Sequence, residues 1–474
     1  MKLKNMFVKG VLSFGMMACA LLFAGAKADA ATYSCGANVT ATLDESTGVM
    51  TLSGSGEMTE VPWSSWDSPV PAQIRSVVVS KGVTTIWDSA FENCSNLTSV
   101  TLPDGLKKIG FYAFKGCTSL TSITIPKTVT DSGGYCFKGS GLSTVTFAAG
   151  STVVPSHLLI EAKNLTTVNM PDSITEIDIS GFENCEKLAS IKLPAKLKSL
   201  GFYAFKGCTS LTNITIPKTV TECGGYCFKN SALKNVIFQE GAKRVPGSMF
   251  ADAPNLKNVN LAKSITSIDV SAFENSGVEE ITLPYYCKEI GFYAFKDCKS
   301  LKSITIYQAV TDISGYAFKN VTGITVYGKK GSLAQKMAKT NGFTFKVVGV
   351  PALKGITYTA GNLKYTVVND AINNKGTVKV VGIKKAKKTL TIPKMVKLES
   401  YKYTVVSIGK NAFKKASKVK TVKIQSAAIT SMGKKAFSGI HKKAKIYVPK
   451  KKYTAYNKML KKAGVTSKMK VKKK

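Results

Sequence analysis

Between Ile74 and Val326 the apolar residues keep one cadence. Two alternate positions are followed by a proline, then a wider apolar step, then a phenylalanine. The phenylalanines fall at Phe91, Phe114, Phe137, Phe182, Phe205, Phe228, Phe250, Phe273, Phe295 and Phe318, 22 or 23 residues apart except for one gap of 45. Leu158 stands near the middle of that gap. A fixed period of this length marks stacked supersecondary units rather than one globular core. No single unit can bury its apolar face alone, whereas stacked on near-identical neighbours it can.

One turn, Leu97–Phe114, shows the elements. Alternation at Val100 and Leu102 predicts a short strand with Thr101 turned outward. Pro103, Pro126, Pro171, Pro194, Pro217 and Pro284 end that strand, because proline has no N–H for the ladder. Gly110, Gly201, Gly291 and Gly409 precede the next phenylalanine and suit a tight turn. A longer rhythm overlies this one. GFYAFKG at Gly110–Gly116 returns unchanged at Gly201–Gly207 and as GFYAFKD at Gly291–Asp297. Four turns therefore form a super-repeat of 90 or 91 residues, which predicts recurring surface patches at Tyr112, Tyr203 and Tyr293 beside Lys115, Lys206 and Lys296.

This pattern resembles the BspA-type leucine-rich repeat of bacterial surface proteins, L-x-x-I-x-I-P-x-x-V-x-x-I-x-x-x-A-F-x-x-C. The resemblance runs from Ile74 to Val326 and returns at Leu390–Val448 as IGKNAFKKASKVKTVKI and MGKKAF; Cys35–Met58 is similar to the strands that cap such arrays. It implies a secreted or surface-bound interaction protein, with adhesion to host or neighbouring cells as the expected role. The fold class is a β-rich repeat solenoid with parallel strands, short capping helices and a second, smaller lysine-rich repeat domain.

The expected organisation is a leader at residues 1–31, an N-terminal cap at 32–82, a solenoid at 83–349, and a lysine-rich domain at 350–474 with two to three further repeats. In the leader, Lys2, Lys4 and Lys9 precede the apolar run Val11–Ala26, and Ala28-Asp29-Ala30 reads as a cleavage site, which places the mature chain outside the membrane. Cys19 lacks a good lipobox, and the run is too short to span a bilayer. A helix at residues 332–345 is expected to cover the last strand edge of the first array, and an amphipathic helix at Lys451–Gly464 to carry Tyr453, Tyr456 and Leu460 on one face. The last ten residues are expected to be mobile.

Charge changes the picture at the C-terminal end. Residues 351–474 hold 33 lysines against Asp370 and Glu399, a surplus of 31 within the chain's net +39. Such one-sided charge calls for an anionic partner. For an exported bacterial protein that partner is an anionic cell-wall polymer or a phospholipid surface. Arginine occurs only at Arg75 and Arg244, so sequence-specific nucleic acid reading is not expected.

Cys94, Cys117, Cys185, Cys208 and Cys298 lie three residues after a repeat phenylalanine, where other turns carry serine or alanine. A slot open to all three is a small buried position, so free thiols are favoured over disulfides. Cys223 and Cys227 lack partners at metal-ligand spacing. His157 and His441 are the only histidines, and no nucleophile elbow, P-loop or zinc-protease motif occurs. Neither an enzyme nor a cofactor is expected. The candidate ligand face is the Ser/Thr-rich outer row Thr98, Thr101, Thr121, Thr124, Ser143, Thr146, Thr212 and Thr215, facing an extracellular protein or glycan. Trp63, Trp66 and Trp87 either pack the cap or form a sugar platform. The alternative reading is a structural wall or matrix component without a specific ligand.

Overall fold

The computed structural model describes residues 30–64, 68–371 and 376–474. The expected leader, with Cys19, lies outside the described residues except for Ala30 and Ala31, which open the first strand; Trp66 lies outside them too.

The chain winds as a solenoid of parallel strands. The longer strands pair along one side, as in Ser122–Ile125 with Thr144–Phe147 and Thr167–Asn169, then Asn213–Ile216 with Asn235–Phe238 and Asn258–Asn260. Two-residue strands such as Glu176–Ile177, Ser199–Leu200 and Glu222–Cys223 pair along another. A third ladder runs through the phenylalanine turns. Tyr112, Phe114 and Gly116 donate their N–H groups to the carbonyls of Gly134, Cys136 and Lys138 at 3.2, 2.8 and 2.9 Å. The phenylalanines are buried and stacked, with centroids 5.3–5.5 Å apart from Phe91 to Phe137 and from Phe182 to Phe318. Trp63 heads the stack 6.2 Å from Phe91, with its Nε1–H donating to Ala90 O at 2.8 Å, and Phe343 closes it 6.2 Å from Phe318.

Three local expectations shift. In the gap between Phe137 and Phe182, Leu159 rather than Leu158 holds the phenylalanine slot: His157 and Glu161 flank it at φ 58° and 57°, and the Cys185 thiol reaches Leu159 O at 3.3 Å, as Cys208 reaches Phe182 O at 3.2 Å. The cadence agrees, since Leu159 lies 22 residues after Phe137 and 23 before Phe182. Second, Gly201 does not supply a left-handed turn. A Cβ there would lie 2.4 Å from the backbone of Asp178, so the glycine is needed for close approach of the previous turn. The left-handed residues come two positions later, Tyr112, Tyr203 and Tyr293 at φ 57°, 62° and 58°, a conformation that costs an L-residue about 1–2 kcal/mol. Third, Trp63 is buried whereas Trp87 is 38% exposed, so those two do not form one platform.

The array is capped at its start by the antiparallel strands Ala30–Ser34, Val39–Asp44 and Val49–Gly54, the last of which passes to parallel pairing with Ser76–Val79. At the far end the helix spans only Leu333–Thr340, and the edge of Thr325–Gly328 is covered by a further parallel strand, Thr344–Val347. The chain therefore extends the ladder once more where a helical cover was expected, with Phe343 buried against the end of the core.

A second buried cluster runs from Ala352 to Met469. It repeats the plan with antiparallel strands Thr357–Ala360, Leu363–Asn369 and Thr377–Ile383, then parallel pairing of Thr377–Ile383 with Tyr401–Ile408. The helix Tyr453–Lys462 buries Tyr456 and Leu460. The last residues, expected to be mobile, include a paired strand: Lys470–Lys473 pairs in parallel with Lys445–Val448, and its lysines blunt the free edge against further pairing.

Among the described residues eight cysteines are free and buried; Cys223 and Cys227 form a disulfide, against the expectation of thiols throughout. They stand four positions apart, across the turn after a two-residue strand. Burial pushes the thiols of Cys117, Cys136 and Cys208 up to about 12 and those of Cys35, Cys287 and Cys298 up to about 11.

Two predictions follow from this packing. Phe295→Ala, which opens the stack, should cost about 3–5 kcal/mol. Phe292→Ala, three residues away and 41% exposed, should cost under about 1 kcal/mol. Urea unfolding with hydrogen exchange on both variants checks the contrast, and equal losses would mean the stack is not the core. The buried thiols keep their protons in the fold and lose them in the unfolded chain above about pH 8.5. Their contribution to stability is therefore complete below that pH and declines as pH climbs toward 11–12. Iodoacetamide at pH 8 should leave the eight thiols unmodified in the native protein and label them in guanidinium, read by mass spectrometry.

Candidate ligand groove

The outward positions of the long strands form rows because each turn repeats the register of the last. Thr124 lies beside Thr146, and Thr215 beside Ile237. Several hydroxyls on this face serve the scaffold: Thr98 and Ser143 donate to the carbonyls of Arg75 and Thr121, each at 3.1 Å. Those groups are partly spent before any ligand arrives.

Further along the face the row turns from hydroxyls to amides. Asn235 Nδ2 donates to Asn213 Oδ1, and Asn258 Nδ2 to Asn235 Oδ1, both at 2.7 Å. Each amide in this chain retains a second N–H and a second acceptor lone pair for an incoming group. Just upstream the ladder is interrupted. Residues 189–193 form no strand, and a hollow of about 390 Å³ opens there, lined in part by Ile191, Leu193, Thr215, Asn235 and Ile237. Downstream lies a larger cleft of about 900 Å³, which shares Asn235 and Ile237 with the first, so the two form one groove.

The far wall of the larger cleft comes from the second cluster, through Pro351, Asp370 and Tyr401. Its near wall includes Asn258, Asn260, Glu280, Thr282 and the tyrosines 285, 286 and 307. The two walls are locked together. The Tyr285 hydroxyl donates to Pro351 O, Gln308 Nε2 donates to Pro351 O at 3.0 Å, the Tyr286 hydroxyl donates to Asp370 Oδ2 at 2.9 Å, and Lys329 pairs with Glu399 at 2.7 Å. Burial, reinforced by the Asp370 carboxylate, pushes the Tyr286 phenol up to about 12, so it stays a donor across the physiological range.

Of the eight residues expected to bear the ligand face, Thr215 lines the groove; Thr98, Thr101, Thr121, Thr124, Ser143 and Thr146 lie on earlier turns of the same face, and Thr212 accepts from Asn213 Nδ2 at 2.8 Å. The asparagine row and the tyrosines were not singled out from sequence. The change from Thr to Asn at one outward register was a readable signal, whereas the approach of Asp370 to Tyr286, 84 residues away, was not. His157 Nδ1 lies 2.8 Å from its neighbour Ser156, and His441 Nδ1 accepts from the Lys443 N–H at 3.2 Å. Among the described residues no cluster of three metal-ligating side chains occurs, and no helix is long and apolar enough to cross a membrane.

The sequence profile of the BspA type leucine rich repeat region matches residues 71–189, 175–291, 268–335 and 393–473. The chain belongs to this family. Among solved structures, it is similar to a leucine-rich repeat protein from Bacteroides ovatus at 23% identity and TM-score 0.36, over 66% of this chain and 98% of that one. A leucine rich cell surface protein from Faecalibacterium prausnitzii is similar at 24% identity and TM-score 0.32, over 65% and 96%. The pneumococcal vaccine antigen PcpA is similar at 18% identity and TM-score 0.34, over 66% and 98%. Comparison with curated protein sequences finds no match.

The junction behind the groove can be tested directly. Tyr286→Phe removes a hydrogen bond to a carboxylate, about 1.5–3 kcal/mol. Trypsin should then cut at Lys346 or Lys354 roughly ten to a hundredfold faster than in the unaltered protein. An unchanged rate, read by mass spectrometry of the fragments, would show that this contact does not hold the junction.

Proposed function

We propose that this chain is an exported bacterial interaction protein that binds an extracellular ligand in the groove along its strand face, and that its lysine-rich C-terminal part, dividing from the array near residue 350, holds it to an anionic wall polymer. The observation that carries the first half is the groove itself. It is a long open surface whose walls present amides, hydroxyls and phenol rings rather than a closed cavity with converging acid, base and nucleophile. Such a surface suits broad contact with a protein or a glycan. Membership of a family of repeat solenoids supports binding over catalysis, because stacked turns give extended surfaces.

The second half is supported by where the lysines stand. In the parallel sheet of Thr389–Ile392, Thr421–Ile424, Lys445–Val448 and Lys470–Lys473, the outward register brings Lys423, Lys445, Lys470 and Lys472 onto one face. Glu399 is spent on Lys329, across the junction. This concentration of charge also favours the reading as a wall or matrix component retained by charge alone, and one experiment distinguishes the two. Beads coated with the full mature chain, or with Thr282→Trp that fills the cleft, are presented to mammalian cells and matrix proteins at low and molar salt. Binding by the unaltered chain that survives salt and falls at least tenfold in Thr282→Trp supports a ligand groove. Binding that salt abolishes in both proteins means the lysines do the sticking, since exposed charge contacts are screened at that strength. Release of the protein from intact cells by molar salt is expected, and its failure would remove the electrostatic anchor.

A further inference from the structure

The phenylalanine that opens each GFYAF motif does not enter the core. Phe111 is 37% exposed and Phe292 41%, and Phe202 is half-buried in the equivalent place. Each of them heads a three-ring cluster with the tyrosine beside it and a tyrosine of the next turn. Phe111 lies 3.9 Å from Tyr112 and 6.0 Å from Tyr135; Phe202 lies 4.0 Å from Tyr203 and 5.8 Å from Tyr226; Phe292 lies 3.9 Å from Tyr293 and 5.4 Å from Tyr316. The tyrosine faces are occupied. Lys115, Lys206 and Lys296 sit over Tyr112, Tyr203 and Tyr293 at 4.3, 4.3 and 4.6 Å. Each of those lysines is also paired with a carboxylate, Glu92, Glu183 and Glu274, at 2.7, 2.8 and 2.5 Å. The phenylalanine is therefore an open ring in each cluster, joined in the third by Tyr316 at 55% exposure, and the lysine over the neighbouring tyrosine is ion-paired in all three.

Two details show that the exposure is organised. The tyrosines occupy the left-handed slot that Ser89, Ser180 and Ser271 fill in the turns before, so an aromatic is kept where a smaller residue serves elsewhere. The turn after each exposed phenylalanine carries glycine at the matching position, Gly134, Gly225 and Gly315; the first two adopt φ 91° and 109°, so there the glycine answers the backbone. The turn before carries further apolar surface in the later copies, Ile179 and Val270, 42% and 53% exposed. Exposed apolar residues arrayed this way mark an interaction surface. The copies stand four turns apart, about 19 Å at 4.8 Å per turn.

We propose that these three clusters form a trivalent docking edge for a linear neutral polysaccharide, separate from the groove. Three like sites recurring every four turns suit a ligand that itself repeats along its length. The C–H face of a pyranose ring is apolar with partly positive hydrogens, and it complements the negative face of an aromatic ring. The ion-paired lysines and carboxylates beside each ring offer hydrogen-bond partners to sugar hydroxyls without favouring a charged polymer. Three weak contacts on one chain then add through effective concentration.

The test uses the full chain in high salt, which silences the C-terminal lysines. Glucan, mannan and xylan chains are titrated against it by calorimetry, alongside oligosaccharides of the same chemistry too short to reach two clusters. At least one long polymer should bind about 10²–10⁴-fold tighter than its oligosaccharide. The triple variant F111A/F202A/F292A should fall to the oligosaccharide level, while F202A alone loses part of the gain and Thr282→Trp loses none. Thermal unfolding of the triple variant near that of the unaltered chain excludes misfolding as the cause; should it unfold early, Phe111→Tyr, Phe202→Tyr and Phe292→Tyr, which keep the ring, must restore both fold and binding. No binding by any of the three polymers, or equal binding by the triple variant, overturns the proposal. So does self-association of the unaltered chain in sedimentation that the triple variant abolishes without any polysaccharide effect.

Discussion

The stack of phenylalanines is the constraint on which everything else in this chain depends. Rings 5.3–5.5 Å apart set one ring per turn, and one ring per turn sets a length of 22 or 23 residues for the path around the solenoid. A residue gained or lost within a turn would move its ring out of the column and, with period-two strands, turn its outward residues inward. The backbone is held to the same beat by left-handed residues on either side of each phenylalanine from Phe91 to Phe295, which aim alternate N–H groups at the next turn. The strain of Tyr112, Tyr203 and Tyr293 is tolerated because it is offset by these hydrogen bonds and by buried rings on both sides.

Repetition made most of this fold legible in the sequence. The anchors Phe91, Phe114, Phe137, Phe182, Phe205, Phe228, Phe273, Phe295 and Phe318 are all buried as their spacing implies, and the prolines follow strands where strands form. What stayed hidden was mostly what the period does not encode. Leu158 and Leu159 are equally apolar, and the exact count of 22 and 23 residues, with left-handed His157 and Glu161 on either side, puts Leu159 in the column. Glycine before a phenylalanine looks like a turn residue, but at Gly201 the demand comes from the neighbouring turn rather than from φ. VTSKMKVKKK carries the composition of a loose tail, yet Val471 needed only a waiting strand edge to make it a strand.

The groove was less legible than the fold, for a related reason. A solenoid's face is the sum of positions one period apart, so its chemistry could be read turn by turn; Thr giving way to Asn at 213, 235 and 258 lies in plain view. The cleft depends on something else, the docking of residues 351–474 against the tyrosines at 285, 286 and 307. Those tyrosines break the repeat: Tyr285 and Tyr286 follow Pro284 where earlier turns carry small or charged residues, and a break in a repeat is where a sequence stops serving the stack. The unpaired stretch at 189–193 is another such break, and it too opens onto the groove.

Two periods thus do two different jobs in one chain. The shorter one, held by the buried rings, makes the scaffold, and selection for stacking alone would have left every turn alike. The longer one of 90 or 91 residues leaves the ring column intact, since Phe114, Phe205 and Phe295 pack like the other anchors. Along one edge it repeats an outward set: an open phenylalanine, a strained tyrosine, a lysine held over it and a glycine beyond. Duplication of a four-turn block explains how the copies arose. Exposed phenylalanine and left-handed tyrosine both work against stability and solubility. Their presence in three places, each beside an ion-paired lysine, is the physical reason to look for function along this edge as well as in the groove.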